Sequence, residues 1–264
     1  MGLPDGLFCK ERKSVLNEAI HTILNHRSIR DFQDKQLTDE QIKMIVACAQ
    51  AASTSSFIQA YSIIGIKDKE KKAKLAHLAG DQRYVLNNGH FFVFCADLHR
   101  HFLIGELEQK DVMTSIESTE KFMVALIDAS LAAQNAAVAA ESMGLGICYI
   151  GGIRNNLDEV KAVLKTPEFV IPLFGMAVGY PEEINEQKPR LPLEHVYHEE
   201  EYQQNNEVQI SQLQDYDEII SRYYQQRTNG KRGDRWTAQM ASMLENPKRM
   251  YMKEFIEKNR MNLK

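Results

Sequence analysis

Ala139-Ala140-Glu141-Ser142-Met143-Gly144-Leu145-Gly146-Ile147-Cys148-Tyr149-Ile150-Gly151-Gly152-Ile153-Arg154 decides the fold. An alanine-rich helical pattern stops at Gly144, a residue type that readily takes the left-handed conformation ending a helix. Ile147 to Ile150 then reads as a short strand, and Gly151-Gly152 as the turn that closes it. Upstream, Thr119 to Met143 is predicted as the longest helix. Its run VALIDASLAAQNAAVAAE is apolar on most sides, so it belongs inside something. Its small side chains suit close helix–helix approach, as in the spine of a subunit interface.

Working outward, Tyr61 to Ile66, His90 to Ala96 and Val170 to Gly179 read as further strands, the last two as near-continuous apolar runs. Helical patterns span Glu11–Asn25, the segment behind Thr38-Asp39-Glu40-Gln41 (a capping box), Lys67–Ala79 and Asn155–Leu164. Leu98 to Ser118 reads as a loop or short helices. Pro181 to Pro192 is loop. From Glu199 the composition turns polar, and a helical stripe restarts at Tyr216. Trp236–Glu245 and Arg249–Lys258 are the last helices. Short strands separated by helices indicate an α+β or α/β layered plan. Residues from about 199 to 264 follow the last strand and have none of their own, so they read as an arm.

The chain has 264 residues with 44% hydrophobic content, enough for a sizeable core. Its 32 basic and 36 acidic residues leave a net charge of −4, which favours neither nucleic acid nor an anionic membrane. Cys9, Cys48, Cys95 and Cys148 are widely spaced, which fits free thiols, the last three buried. No stretch approaches the ~20 apolar residues of a membrane span, and Met1–Arg12 lacks a signal-peptide core. A cytoplasmic location is expected.

Candidate chemistry starts with His26-Arg27-Ser28-Ile29-Arg30, which offers guanidinium forks, an imidazole and a hydroxyl to one small anion. Taken alone it reads more readily as a solvated basic turn. Ser53-Thr54-Ser55-Ser56 is a flexible loop or a source of hydroxyls for a polyol. Tyr149-Ile150-Gly151-Gly152 is a tight turn or a place where bare backbone approaches a flat ligand. Lys188-Pro189-Arg190 sets two cations on alternate positions of a stiff strip, as a phosphate would require. Gly144-Leu145-Gly146 follows a helix, so the dinucleotide fingerprint fails. There is no Walker A motif and no G-x-S-x-G. The pairs His99/His101 and His195/His198 lack further ligands at metal spacing.

Together, HRSIR, STSSFIQ, GDQR, AAESMGLGICYIGGIRNN, KPRLP and RTNGKRGDRW resemble the FMN-dependent nitroreductase family, in its NADPH-preferring group of oxygen-insensitive nitroreductases and NADPH–flavin oxidoreductases. The resemblance runs from about residue 14 to about residue 256. It implies an α+β, three-layer fold: a mainly antiparallel central sheet flanked by helices, a long dimer-interface helix and a C-terminal helical extension. The whole chain, 1–264, would be one such domain, with its core at about 14–198.

The resemblance also implies roles. His26, Arg27 and Ser28 line the FMN phosphate and ribityl region. Arg30 lies by the N1/O2 edge of the flavin. Thr54, Ser55 and Ser56 reach in from the other subunit, Thr54 standing where serine is more usual. Gln82 meets the pyrimidine edge. Gly151 offers its N–H near N5, with Tyr149, Ile150 and Gly152 shaping that wall. Lys188 and Arg190 bind the phosphate. Arg227 and Arg232 bind the 2′-phosphate of NADPH, and Arg249 stands at the substrate mouth. The implied reaction is ping-pong, two-electron hydride transfer from NADPH through FMN to nitroaromatics, quinones or free flavin. No acid–base or nucleophilic residue and no metal is required. Alternatives are a flavin reductase serving a partner enzyme, a flavin sensor without turnover, and a nucleic-acid patch at Arg222, Arg227, Lys231, Arg232 and Arg235, the last opposed by the acidic net charge.

Overall fold

The computed structural model describes residues 17–264. Cys9 and the first part of the expected N-terminal helix lie outside the described residues. The chain forms two compact units. The larger comprises the described chain up to Asn185 together with Tyr251–Lys264; the smaller is Glu186–Met250.

In the larger unit, four strands make one sheet: β1 (Tyr61–Ile66), β2 (His90–Asp97), β3 (Gly146–Ile150) and β4 (Val170–Gly179), in the order β1-β2-β4-β3. Every neighbouring pair is antiparallel. Every residue of β2 is buried, as its continuous apolar run requires. Its alternate residues face opposite helical layers. Phe91, Val93 and Cys95 pack with residues of α3 (Lys69–Leu78) and α8 (Leu157–Leu164). Phe92 and Phe94 pack with α2 (Asp39–Gln50) and α7 (Thr119–Ser142). Pro172, which has no N–H to give a ladder, sits inside β4 opposite Cys95, where the β2–β4 register shifts.

Local signals fix the helix ends. Thr38 caps α2 with a reciprocal capping box, its hydroxyl accepting from the Gln41 N–H while the Gln41 side chain accepts from the Thr38 N–H. Gly144 has φ +74°, the left-handed turn that stops α7. α7 buries nine positions, seven of them alanines, five of which lie along its second half. It is long and apolar enough to cross a membrane by length and composition, against the sequence expectation, and half of that apolar window is buried inside the protein.

Leu98–Ser118 takes the short-helix reading, as α5 (His99–Glu108) and α6 (Met113–Ile116). Other expectations are corrected. Cys95 and Cys148 are buried, but Cys48 is only half-buried because it lies off the inward stripe of Ile45 and Ala49. α1 (Glu18–Leu24) buries none of its residues, and Ile23 and Leu24 are exposed. At the C-terminus, α11 (Met252–Lys258) starts after the expected Arg249, whose φ of 62° is left-handed. Phe255 and Met261 join the core beside Val124 and Ile171. Arg260 and Lys264 bind Glu117 at 2.8 and 3.0 Å.

The smaller unit contains α9 (Asn206–Arg227) and α10 (Trp236–Glu245). α9 starts ten residues before the expected Tyr216, because the Asn205 side chain accepts from the N–H groups of Glu207 and Val208 and caps a polar first half. Tyr216, Ile220, Tyr223 and Tyr224 form its apolar cluster with Leu191, Ile219 and Trp236.

Candidate functional site

The cationic segment after α1 runs alongside the sheet. Ser28 forms a parallel bridge with Ile147, and the Ile29 N–H donates to the Ile147 carbonyl at 2.8 Å. Ile29 points into the core, which leaves Arg30 exposed on the other side. Burial pushes the Cys148 thiol up, and the nearby Arg30 charge opposes that shift. His26 turns its Nδ1 to Glu141 Oε1, 2.7 Å away at the end of α7. Arg27 Nε donates to the Asn25 carbonyl at 3.0 Å, and its Nη1 reaches the Asn185 carbonyl at 3.4 Å.

β3 ends at the glycine pair. The Tyr149 hydroxyl donates to the Ala133 carbonyl of α7 at 2.8 Å, and its ring meets Phe174 edge-on at 5.7 Å. Burial raises that phenol above its ordinary range. Ile150 is buried, and Gly151–Asn155 turns as a 3-10 helix. A Cβ on Gly152 would stand 2.3 Å from the Ala79 carbonyl oxygen, so only glycine fits. This contact brings the glycine pair against the end of α3. Gln82 lies three residues beyond Ala79, half-buried, with its N–H on the Ala76 carbonyl at 3.2 Å. The sequence stretches HRSIR, GDQR and YIGG, far apart in the chain, are thus linked through β3.

The serine loop is set on α7. Thr54 is extended and precedes a 3-10 turn at Ser55–Phe57. The Ser55 and Ala60 N–H groups both donate to Asp128, each at 3.0 Å. Ser56, Phe57 and Gln59 have φ of 49°, 58° and 55°. Left-handed non-glycine residues cost about 1–2 kcal/mol each, so such a loop persists only where its surroundings hold it.

In the smaller unit, the Lys188 ammonium donates to the Tyr224 hydroxyl at 2.9 Å and so pulls that phenol below its usual range. The Tyr216 hydroxyl donates to the Pro189 carbonyl at 3.0 Å, fixing the strip between Lys188 and the exposed Arg190. Arg232 stacks over the same Tyr224 ring at 4.4 Å and donates through Nε to Asp234 at 2.6 Å. Arg227 donates to the Tyr223 hydroxyl at 2.9 Å. Lys188 and Arg232 therefore share one tyrosine, while Arg227 uses its neighbour. Arg249 follows α10 in a left-handed conformation.

The nitroreductase family model matches residues 23–180, and the model of the nitroreductase family C-terminal domain matches residues 188–264. The chain belongs to the nitroreductase family. Its relatives include a protein of Bacillus subtilis named FMN reductase (NADPH), 54% identical over 247 residues, which are 94% of this chain and 99% of the relative. Among solved structures, NfrA1 of B. megaterium superposes with a TM-score of 0.92 at 66% identity, covering 93% of this chain and all of that one. The NADPH:FMN oxidoreductase of Vibrio harveyi, complexed with NAD+, superposes with a TM-score of 0.85 at 38% identity, covering 94% and 100%. The antiparallel four-stranded sheet between helical layers is the nitroreductase fold that the sequence motifs led us to expect.

Three residues that hold this nitroreductase's candidate site were missed in the sequence. Asp128 and Glu141 are isolated acids in an alanine-rich helix, and the oddity of Asp128 at a buried helical position was the available signal. Tyr224 gave none, since it reads as an ordinary member of the α9 stripe.

Proposed function

We propose that this nitroreductase is an NADPH-dependent, FMN-containing oxidoreductase that reduces nitroaromatics, quinones or free flavin by ping-pong transfer of two electrons. The observation that carries this reading is the pairing of Ser28 with Ile147, which sets the cationic segment beside the strand that ends in Gly151-Gly152. The residue types fit FMN. Arg27, Lys188 and Arg190 are cations suited to its phosphate, and His26 offers an imidazole suited to the same group. Ser28, Thr54, Ser55 and Ser56 supply hydroxyls for the ribityl chain. Gln82 suits the pyrimidine edge. Gly151 carries no side chain, so its N–H is free to approach a ring atom, with Tyr149, Ile150 and Gly152 as the surrounding wall.

When bound, FMN supplies the hydride chemistry between nicotinamide and acceptor. The protein binds and orients. The Arg30 charge stabilises negative charge on the ring edge it faces, which favours two-electron over one-electron transfer. Arg227 and Arg232 select NADPH through its 2′-phosphate, and Arg249 borders the substrate mouth. No protein nucleophile takes part. Relatives named FMN reductase (NADPH) and NADPH:FMN oxidoreductase favour free flavin among the acceptors. A lower KM for added FMN than for a nitrofuran would bear that out.

The same reading makes the protein a cytoplasmic homodimer, with Thr54, Ser55 and Ser56 donated across the interface. Exposed Ile23 and Leu24 on α1, and Met123, Ile127 and Leu131 at four-residue spacing on α7, support it as apolar surface that needs a cover. A monomeric mass by light scattering at micromolar protein would contradict it.

The deciding experiment is an absorption spectrum before and after anaerobic NADPH. A yellow protein that bleaches is expected. A colourless protein that gains no thermal shift from added FMN would overturn the reading, and a yellow one that NADPH leaves unbleached would indicate a sensor.

A further inference from the structure

We infer that Asp128 is a positioning residue that sets the shape of the Thr54–Gln59 loop before any flavin arrives. This rests on the reading that Thr54, Ser55 and Ser56 contact FMN.

Asp128 is fully buried and, among the described residues, makes no ion pair. A buried carboxylate without a cation is unfavourable unless hydrogen bonds replace its water. Here Oδ1 accepts from the Ser55 N–H and Oδ2 from the Ala60 N–H. The two bonds clamp both ends of the loop to one rigid point on α7.

Inside the clamp lie the three left-handed residues, and Phe57 is 81% exposed on its own chain, so apolar packing of its ring within the subunit is not what holds them. Among the described residues, the other side chains that bond to the loop secure only its second half. Arg100 donates to the Gln59 carbonyl at 3.3 Å, and His101 Nε2 lies 2.8 Å from the Ile58 carbonyl. Asp128 alone among these reaches the serine half. A loop already in its binding shape loses less freedom when its ligand arrives, which is how a distant carboxylate raises affinity without touching the ligand.

Asp128→Asn is the test variant. It keeps one acceptor and turns an NH2 group against the other N–H. In the wild-type protein stripped of flavin, the Ser55 and Ala60 amides should already resist hydrogen exchange. In the variant they should exchange faster. FMN should bind about tenfold more weakly, and the visible absorption envelope of the bound flavin should shift. Two results would overturn the inference. One is wild-type Ser55 and Ala60 amides that become protected only when FMN is added; this measurement needs no variant to fold. The other is a variant that melts earlier yet keeps wild-type FMN affinity and spectrum, which would make Asp128 a purely structural residue. Protected amides in a wild-type protein that binds no FMN would instead uphold the clamp and defeat the FMN reading.

Discussion

Glu141, in the last turn of α7, holds His26 Nδ1 at 2.7 Å across 115 residues of sequence. The bond fixes the imidazole ring, so its Nε2 is the nitrogen left to face outward. It also ties the cationic segment to the helix that carries the serine loop through Asp128. One helix therefore sets two separate groups of proposed flavin contacts.

Glu141→Ala should weaken FMN binding by roughly three- to tenfold, the loss of about 0.7–1.4 kcal/mol that one typical net hydrogen bond contributes. Glu141→Gln keeps an acceptor and should lose less. Flavin fluorescence titration of both variants checks the order. Equal affinity in all three proteins would remove His26 from the site.

Gly151 and Gly152 should respond differently to alanine. At Gly152 a Cβ would meet the Ala79 carbonyl oxygen at 2.3 Å, which is backbone and cannot step aside. Overpacking of this kind costs about 1–3 kcal/mol, so Tm should fall by roughly 2–10 °C in a chain of this size. At Gly151 the nearest atom is the end of the Arg154 side chain, at 3.3 Å. Gly151→Ala should therefore keep its Tm and lose activity instead. Thermal melts and NADPH oxidation rates on both variants separate the two roles; a matched fall in Tm would show that both glycines serve packing.

Much of this was legible in sequence, for local reasons. β1 and β4 begin and end where their apolar runs do, and the capping box fixed the start of α2. The start of α9 was not legible, because its first half is polar and exposed and its apolar stripe begins only at Tyr216. Asp128 and Glu141 escaped notice for a different reason. Their partners lie 73 and 115 residues away, and nothing in the neighbouring sequence encodes a bond across such a distance.

His90 should make stability depend on pH. It is buried in β2, and burial, helped by the Lys72 and Lys67 charges, lowers its pKa from 6.5 to about 4. As pH falls from about 6.5 towards 4, the unfolded chain takes up a proton there and the folded chain does not, so stability is lost across that window. The full shift corresponds to roughly 3 kcal/mol. His90→Gln cannot titrate, so its urea midpoint should vary less than that of the wild type between those pH values. Parallel curves for the two proteins would show that His90 does not drive the effect.

Cofactor choice should depend on what competes for Arg232. Its Nε donates to Asp234 at 2.6 Å while its guanidinium lies over Tyr224. On the proposed reading a 2′-phosphate must take this guanidinium from the carboxylate and also bear the carboxylate's repulsion. Both partners are solvent-accessible, with side-chain exposures of 53% and 37%, so the pair itself is worth about 0–1 kcal/mol. Asp234→Asn should accordingly lower the KM for NADPH by up to about fivefold. The gain should fade at high salt, where such charges are screened. Arg227→Ala removes a phosphate contact and should raise the KM for NADPH by about 10- to 150-fold. Neither change should move the KM for NADH, which lacks the phosphate. Steady-state kinetics with both nucleotides at two ionic strengths test the pair of variants together. If either variant alters NADH and NADPH alike, this loop does not read the 2′-phosphate.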